Sequence, residues 1–119
     1  MSDPTVMVVE DDTSVRELVV QVLAGEGFTA VGARNGAEAL QRLRQDHLQP
    51  ALILLDLVMP VMDGWHFRLE QLLDPALAGI PVVVISASDD GGVPAADRVH
   101  KPFDMEELLH VVSRFAAPT

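Results

Sequence analysis

The stretch LLDLVMPVMDG, residues 54–64, joins the end of an apolar run to a turn. The run extends from Ala51 to Leu55 without a polar residue, which predicts a strand that is buried on both faces. Asp56 stands where the run stops, and a proline, two methionines and an Asp-Gly pair follow it. Because a protein core does not accept an unpaired charge, the carboxylate of Asp56 indicates a site at the edge of the core.

Strand-like and helix-like segments alternate on both sides of this stretch. A helical spacing of apolar residues follows each of the first three strands and the fifth. This alternation predicts an α/β fold, a three-layer, doubly wound parallel sheet of five strands with helices on both faces. The predicted strands are residues 5–10, 28–33, 51–56, 81–86 and, more briefly, about 98–100.

Capping residues mark the ends of the predicted helices. Ser14 with Glu17 fits a capping box at the start of the first helix, and Gly27 fits its end. Asn35 is the expected cap of the second helix, and Asp104 that of the last one.

The bulk composition indicates one globular domain. The chain has 119 residues, of which 49% are hydrophobic, enough for a single core. It has no cysteine and no apolar run of about 18 residues, which argues against disulfides, thiolate metal sites and a membrane span. We expect a cytoplasmic protein. The net charge of −10 would repel phosphate backbones, so we expect no nucleic-acid binding by this domain alone.

Polar residues stand where the predicted strands end. Glu10 and Asp11 follow the first strand, Asp56 ends the third, Ser86 ends the fourth and Lys101 follows the fifth. Ligands bind parallel α/β sheets at this carboxyl edge. Singly, each residue has an ordinary explanation as a cap, a turn former or a surface residue. Together, three carboxylates repel one another unless a cation compensates, and oxygen ligands of this kind suit Mg²⁺.

Four motifs, VVEDD, LLDLVMPVMDG, VVVISAS and HKPF, occur in this order along the chain. Together they resemble the receiver domain of two-component response regulators, and the resemblance covers essentially the whole chain. It implies a flavodoxin-like strand order of 2-1-3-4-5. It also implies that residues 1–119 form a single receiver domain, and we expect no output domain within this chain.

The resemblance assigns the acidic residues to phosphorylation. It implies that Asp56 accepts a phosphoryl group from a sensor histidine kinase or a histidine phosphotransfer protein. Mg²⁺ would be bound directly by Asp11 and Asp56, by the backbone carbonyl of Val58, and by Glu10 through water.

The resemblance also implies residues that contact the phosphoryl group. Ser86, Ala87 and Lys101 would bind it, and a cis peptide bond before Pro102 would direct the lysine inward. Such a domain is not an enzyme beyond its own phosphorylation and dephosphorylation.

One segment departs from the family pattern. Only fourteen residues separate Ser86 from Lys101, and two glycines and a proline interrupt them. Because both residue types oppose helix formation, we predict that the fourth helix of the family is missing or degenerate. Arg98 stands where the family has a switch aromatic residue, which puts the usual output face in doubt.

Two functions remain open from the sequence. The first is a phosphorylation-dependent receiver that acts on a downstream protein target, as a monomer or as a phosphorylation-dependent dimer. The alternative is a docking module that keeps the receiver pocket but does not depend on phosphorylation. Enzymes on the same fold fit poorly, since a haloacid-type phosphatase needs a second aspartate where this chain has Val58.

Overall fold

The computed structural model describes residues 4–87 and 92–117. Five strands and four helices occupy the described residues, in the predicted alternation. The strands are β1 (Thr5–Val9), β2 (Thr29–Ala33), β3 (Leu52–Asp56), β4 (Val82–Ser86) and β5 (Asp97–His100). The helices are α1 (Thr13–Gly25), α2 (Gly36–Arg44), α3 (Gly64–Leu73) and α4 (Met105–Ser113).

All strand pairs are parallel, and the sheet order is β2-β1-β3-β4-β5. The predicted fold class and strand order are therefore confirmed. The register pairs Val9 with Leu55, and it pairs Ser86 with His100. This register brings the carboxyl ends of β1, β3, β4 and β5 to one edge of the sheet.

Successive side chains of β1 and β3 enter two separate cores, because strand side chains alternate between the faces of a sheet. Met7 and Ile53 lie in the core shared with α2 and α3, whereas Val6 and Leu54 lie in the core shared with α1 and α4. β3 and β4 are buried along their whole length, as their continuous apolar sequence predicts. The two cores fix the register on which the strand ends depend.

Three of the predicted helix ends are confirmed, and one is wrong. Asn35 and Asp104 cap α2 and α4, and Gly27 adopts a left-handed φ of 95° just after α1. The cap of α1 is Asp12, whose side chain accepts a hydrogen bond of 3.0 Å from the Val15 amide. Ser14 lies one residue inside the helix, so it cannot serve as the cap.

No helix occurs between β4 and β5 in the described part of that connection, residues 87 and 92–96, which agrees with the predicted loss of the fourth helix. Gly91, used in that prediction, lies outside the described residues. The 92–96 segment covers the core instead. Val93 is buried, and the Pro94 carbonyl accepts a hydrogen bond of 2.8 Å from Arg68 on α3.

The loop between β3 and α3 packs too closely for a side chain at Gly64. A Cβ atom there would lie 2.6 Å from the carbonyl oxygen of Asp56 and 2.8 Å from the Cα atom of Leu57. The Gly64 amide also donates a hydrogen bond of 2.8 Å to the Leu57 carbonyl. The Asp-Gly pair therefore holds the end of β3 against the start of α3.

Among the described residues, no helix has the length and apolar character needed to cross a membrane.

Gly64→Ala should lower the free energy of unfolding by about 1–3 kcal/mol, because backbone atoms cannot yield to the added Cβ. Urea unfolding measures this change. The matched control is Gly25→Ala, since a Cβ at Gly25 meets nothing within 4 Å. The control should be neutral or stabilising by up to about 1 kcal/mol. Equal stability of the two variants would contradict the close approach.

Candidate functional site

Three carboxylates meet at the carboxyl edge of the sheet. Asp56 is the last residue of β3, while Glu10 and Asp11 directly follow β1. Each of the three offers an oxygen atom, and these oxygens all lie within 4.8 Å of one another. Glu10 and Asp56 are only 4% and 7% exposed, so water cannot screen their repulsion fully, whereas Asp11 is exposed.

One ammonium group joins this acidic cluster, defined as Glu10, Asp11 and Asp56. The Lys101 Nζ atom lies 2.6 Å from Glu10 Oε1 and 3.5 Å from Asp56 Oδ2. Lys101 follows β5, and its backbone amide donates a hydrogen bond of 2.9 Å to the Ser86 carbonyl at the end of β4. The lysine is therefore held to the sheet edge by its backbone as well as by its side chain.

The charges at this edge shift two pKa values. Burial raises the pKa of Glu10, and a hydrogen bond with Asp56 adds to the rise, so together they outweigh the lowering by Lys101. Burial by itself would lower the pKa of Lys101. Its hydrogen bond to Glu10 and the charges of the two carboxylates outweigh that effect and raise the pKa. When all of these groups are ionised, the three carboxylates outnumber the one ammonium group, so the edge keeps an excess of negative charge.

A hard divalent cation fits this arrangement. The donors are carboxylate oxygens, which such cations prefer, and the excess negative charge supplies the attraction. The exposed Asp11 leaves one side open to water, as a cation that keeps part of its hydration shell requires.

The other predicted site residues lie along the same edge. Ser86 is buried at the end of β4, and Ala87 follows it. The peptide bond between Lys101 and Pro102 is cis. Val58, two residues beyond Asp56, is 65% exposed, so its side chain is not part of the core.

Arg98 does not lie at the carboxyl edge with these residues. It pairs with Val84 in the register, two residues before Ser86, and its guanidinium donates a hydrogen bond to the Val93 carbonyl. Arg98 is exposed on β5, the edge strand of the sheet, and it also contacts the 92–96 segment.

Arg16 was missed by the sequence interpretation. Its Nη1 atom donates a hydrogen bond of 2.8 Å to the carbonyl of Glu10, within the acidic cluster. Two features of the sequence could have indicated this contact. Arg16 is a cationic residue about one helical turn after the acid pair, and Gly32 is a glycine inside the neighbouring strand, where another group can approach the backbone closely.

The fold and this edge define a class of protein, a doubly wound α/β domain with an acidic, lysine-bearing carboxyl edge that fits a divalent cation. The family model of the response regulator receiver domain matches residues 6–113. The chain therefore belongs to the response regulator receiver domain family.

Individual proteins show the same likeness. The DNA-binding response regulator MtrA of Mycolicibacterium smegmatis is 37% identical over 111 residues, covering 87% of this chain and 46% of that protein. This chain thus spans less than half the length of that relative.

Two of the solved structures that share the fold illustrate the likeness. The receiver domain of a signal transduction histidine kinase from Syntrophus aciditrophicus superposes with a TM-score of 0.86 at 28% identity, covering 94% of this chain and 89% of that one. The response regulator TrrA of Thermotoga maritima, solved in complex with Mg²⁺-BeF, gives a TM-score of 0.80 at 26% identity, with coverages of 94% and 98%.

The raised pKa of Glu10 predicts that the cation-free domain loses stability as the pH rises. A carboxyl group whose pKa exceeds its ordinary 4.5 holds its proton more tightly when folded. Its contribution is full below pH 4.5 and is lost as the pH passes through the folded pKa. Urea unfolding in EDTA at a series of pH values measures the effect. Glu10→Gln should remove this slope, and an unchanged slope would contradict its assignment to Glu10.

Asp56→Asn should stabilise the cation-free domain by about 1 kcal/mol, because it removes a charge that repels its neighbours. Urea unfolding in EDTA at neutral pH tests this. Asp63→Asn is the matched control, since Asp63 caps α3 outside the acidic cluster and asparagine caps equally well. A loss of stability in Asp56→Asn would show that repulsion does not dominate.

Proposed function

We propose that this domain accepts a phosphoryl group on Asp56 in the presence of Mg²⁺ and relays the signal through altered contacts with a protein partner. The observation that carries this proposal is the convergence of three carboxylates and one ammonium group at the carboxyl edge. Such a group of charges has no structural purpose that a neutral set would not serve better.

Asp56 is the proposed phosphoacceptor. It is the last residue of β3 and is 7% exposed, so its carboxylate is held by the sheet but lies at the surface edge. An oxygen of Asp56 attacks phosphorus, and the phosphorus–nitrogen bond of a donor phosphohistidine breaks. The imidazole leaves with the electron pair, and an acyl phosphate remains on Asp56.

Lys101, Ser86 and Ala87 are proposed to receive the transferred group. Lys101 Nζ already lies 3.5 Å from Asp56 Oδ2, where it can pair with a phosphoryl oxygen. The Ser86 hydroxyl can donate to another oxygen, and the small Ala87 leaves room beside it. Fixed donors of this kind stabilise charge that develops during the transfer.

The residues that would hold Mg²⁺ are Asp11, Asp56, the Val58 carbonyl and, through water, Glu10. The ion would neutralise negative charge on the phosphoryl oxygens and on the carboxylates. The chain's own contribution is a set of oxygen donors kept close together at fixed strand ends.

The proposed donor is a sensor histidine kinase or a histidine phosphotransfer protein, and the proposed recipient of the signal is a downstream protein. The domain's only chemistry would be its own phosphorylation and the hydrolysis of the acyl phosphate.

Incubation with acetyl phosphate and Mg²⁺ should add a single phosphoryl group, detected by intact mass. EDTA should abolish the adduct. Asp56→Asn should abolish it too, because an amide is not a nucleophile here. Asp63→Asn is the matched control, since it removes one carboxylate from the same loop and should leave the adduct intact.

An adduct that persists in Asp56→Asn would contradict the assignment of Asp56. If no adduct forms with acetyl phosphate, a phosphorylated histidine phosphotransfer domain is the second donor. Failure with both donors, while the domain still binds Mg²⁺, would contradict phosphoryl transfer as the function.

A further inference from the structure

Arg16 contacts the backbone of the two acids that follow β1. Its Nη1 atom donates a hydrogen bond of 2.8 Å to the Glu10 carbonyl and lies 3.5 Å from the Asp11 carbonyl. Its Nη2 atom lies 3.4 Å from the Thr13 hydroxyl. The guanidinium thus reaches back from α1 across the turn that carries the acidic residues.

Gly32 on β2 makes room for this contact. A Cβ atom at Gly32 would lie 3.0 Å from Cδ and 3.2 Å from Cγ of Arg16. The arginine stem therefore lies directly on the backbone of β2. Because the atoms that would meet the Cβ belong to a flexible side chain, a larger residue at Gly32 would displace the arginine rather than the strand.

The peptide groups around Glu10 are held at several points. The Glu10 amide donates a hydrogen bond of 2.9 Å to the Ala33 carbonyl, and the Glu10 carbonyl accepts from Arg16. The next turn is fixed where Asp12 caps α1. Arg16 supplies the one side-chain contact in this set that reaches the Glu10 carbonyl.

We propose that Arg16 is a positioning residue, which holds the Glu10–Asp11 backbone so that both carboxylates stay directed at the cation. The inference rests on the proposed Mg²⁺ site. Repulsion within the acidic cluster favours moving the exposed Asp11 outward. A backbone fixed by the hydrogen bond from the guanidinium resists that movement.

Mg²⁺ titration followed by calorimetry tests the role of Arg16, with thermal unfolding in EDTA as a second readout. Arg16→Met keeps the apolar stem and should raise the Mg²⁺ dissociation constant about tenfold, with little change in the EDTA unfolding midpoint. Arg16→Lys keeps one donor and should recover part of the affinity. Arg42→Met is the matched control, since Arg42 also donates to a β2 carbonyl, that of Gly32, but does not reach the acids.

Gly32→Ala tests the same contact without changing Arg16. It should weaken Mg²⁺ binding by a similar factor, and the double variant should bind no more weakly than Arg16→Met alone. Wild-type affinity in Arg16→Met would overturn the positioning role. A second result would also overturn it: Arg16→Met lowers both the Mg²⁺ affinity and the unfolding midpoint in EDTA, and Arg16→Lys restores neither. That result would mean that Arg16 has a purely structural role.

The proposed Mg²⁺ site can fail separately. If the wild type does not bind Mg²⁺ at all, both the site and the role of Arg16 are overturned. If the wild type binds and Asp56→Asn does not, the site stands, and only the Arg16 variants decide the positioning role.

Discussion

The charges of Glu10, Asp11 and Asp56 repel one another. The rest of the structure must offset this repulsion to keep them together at the carboxyl edge of the sheet. The resistance comes from the two cores, since the strands that end in these acids are buried and locked in register with their neighbours. Lys101 offsets part of the charge, since it pairs with Glu10 and Asp56, but one ammonium group faces three carboxylates. The core thus holds like charges close together, and a bound cation of the proposed kind would relieve their repulsion.

The parts of this arrangement that sequence could predict are those with a strong local signal. The apolar runs of β1, β3 and β4 are short, continuous and mostly rich in β-branched residues, which predicts buried strands and places their ends. Once the strands are placed, the edge rule brings Asp56 and Ser86 to one rim. The absence of a helix from the described part of the connection to Lys101 could also be predicted, because glycine and proline both disfavour a helix interior.

The parts that sequence could not predict depend on contacts between elements. Asp12 and Ser14 are both good caps, and only the point where the chain leaves β1 selects Asp12. Gln71 looks like an ordinary exposed helical residue, yet it is fully buried and donates to the carbonyls of Leu77 and Ile80. Neither periodicity nor composition encodes such a partner, since a backbone carbonyl has no sequence signature.

The 92–96 segment of the connection between β4 and β5 contacts residues outside the acidic cluster. Gln71 accepts a hydrogen bond of 2.7 Å from Arg68, and Arg68 donates to Pro94, so α3 is tied to the 92–96 segment. Arg98 contacts the same segment through Val93. The site residues, by contrast, stand at or just after strand ends and include no member of this segment. The 92–96 segment therefore bears on the surface formed by α3 and β5, and a change in how the domain contacts a partner would arise at that surface and not at Asp56.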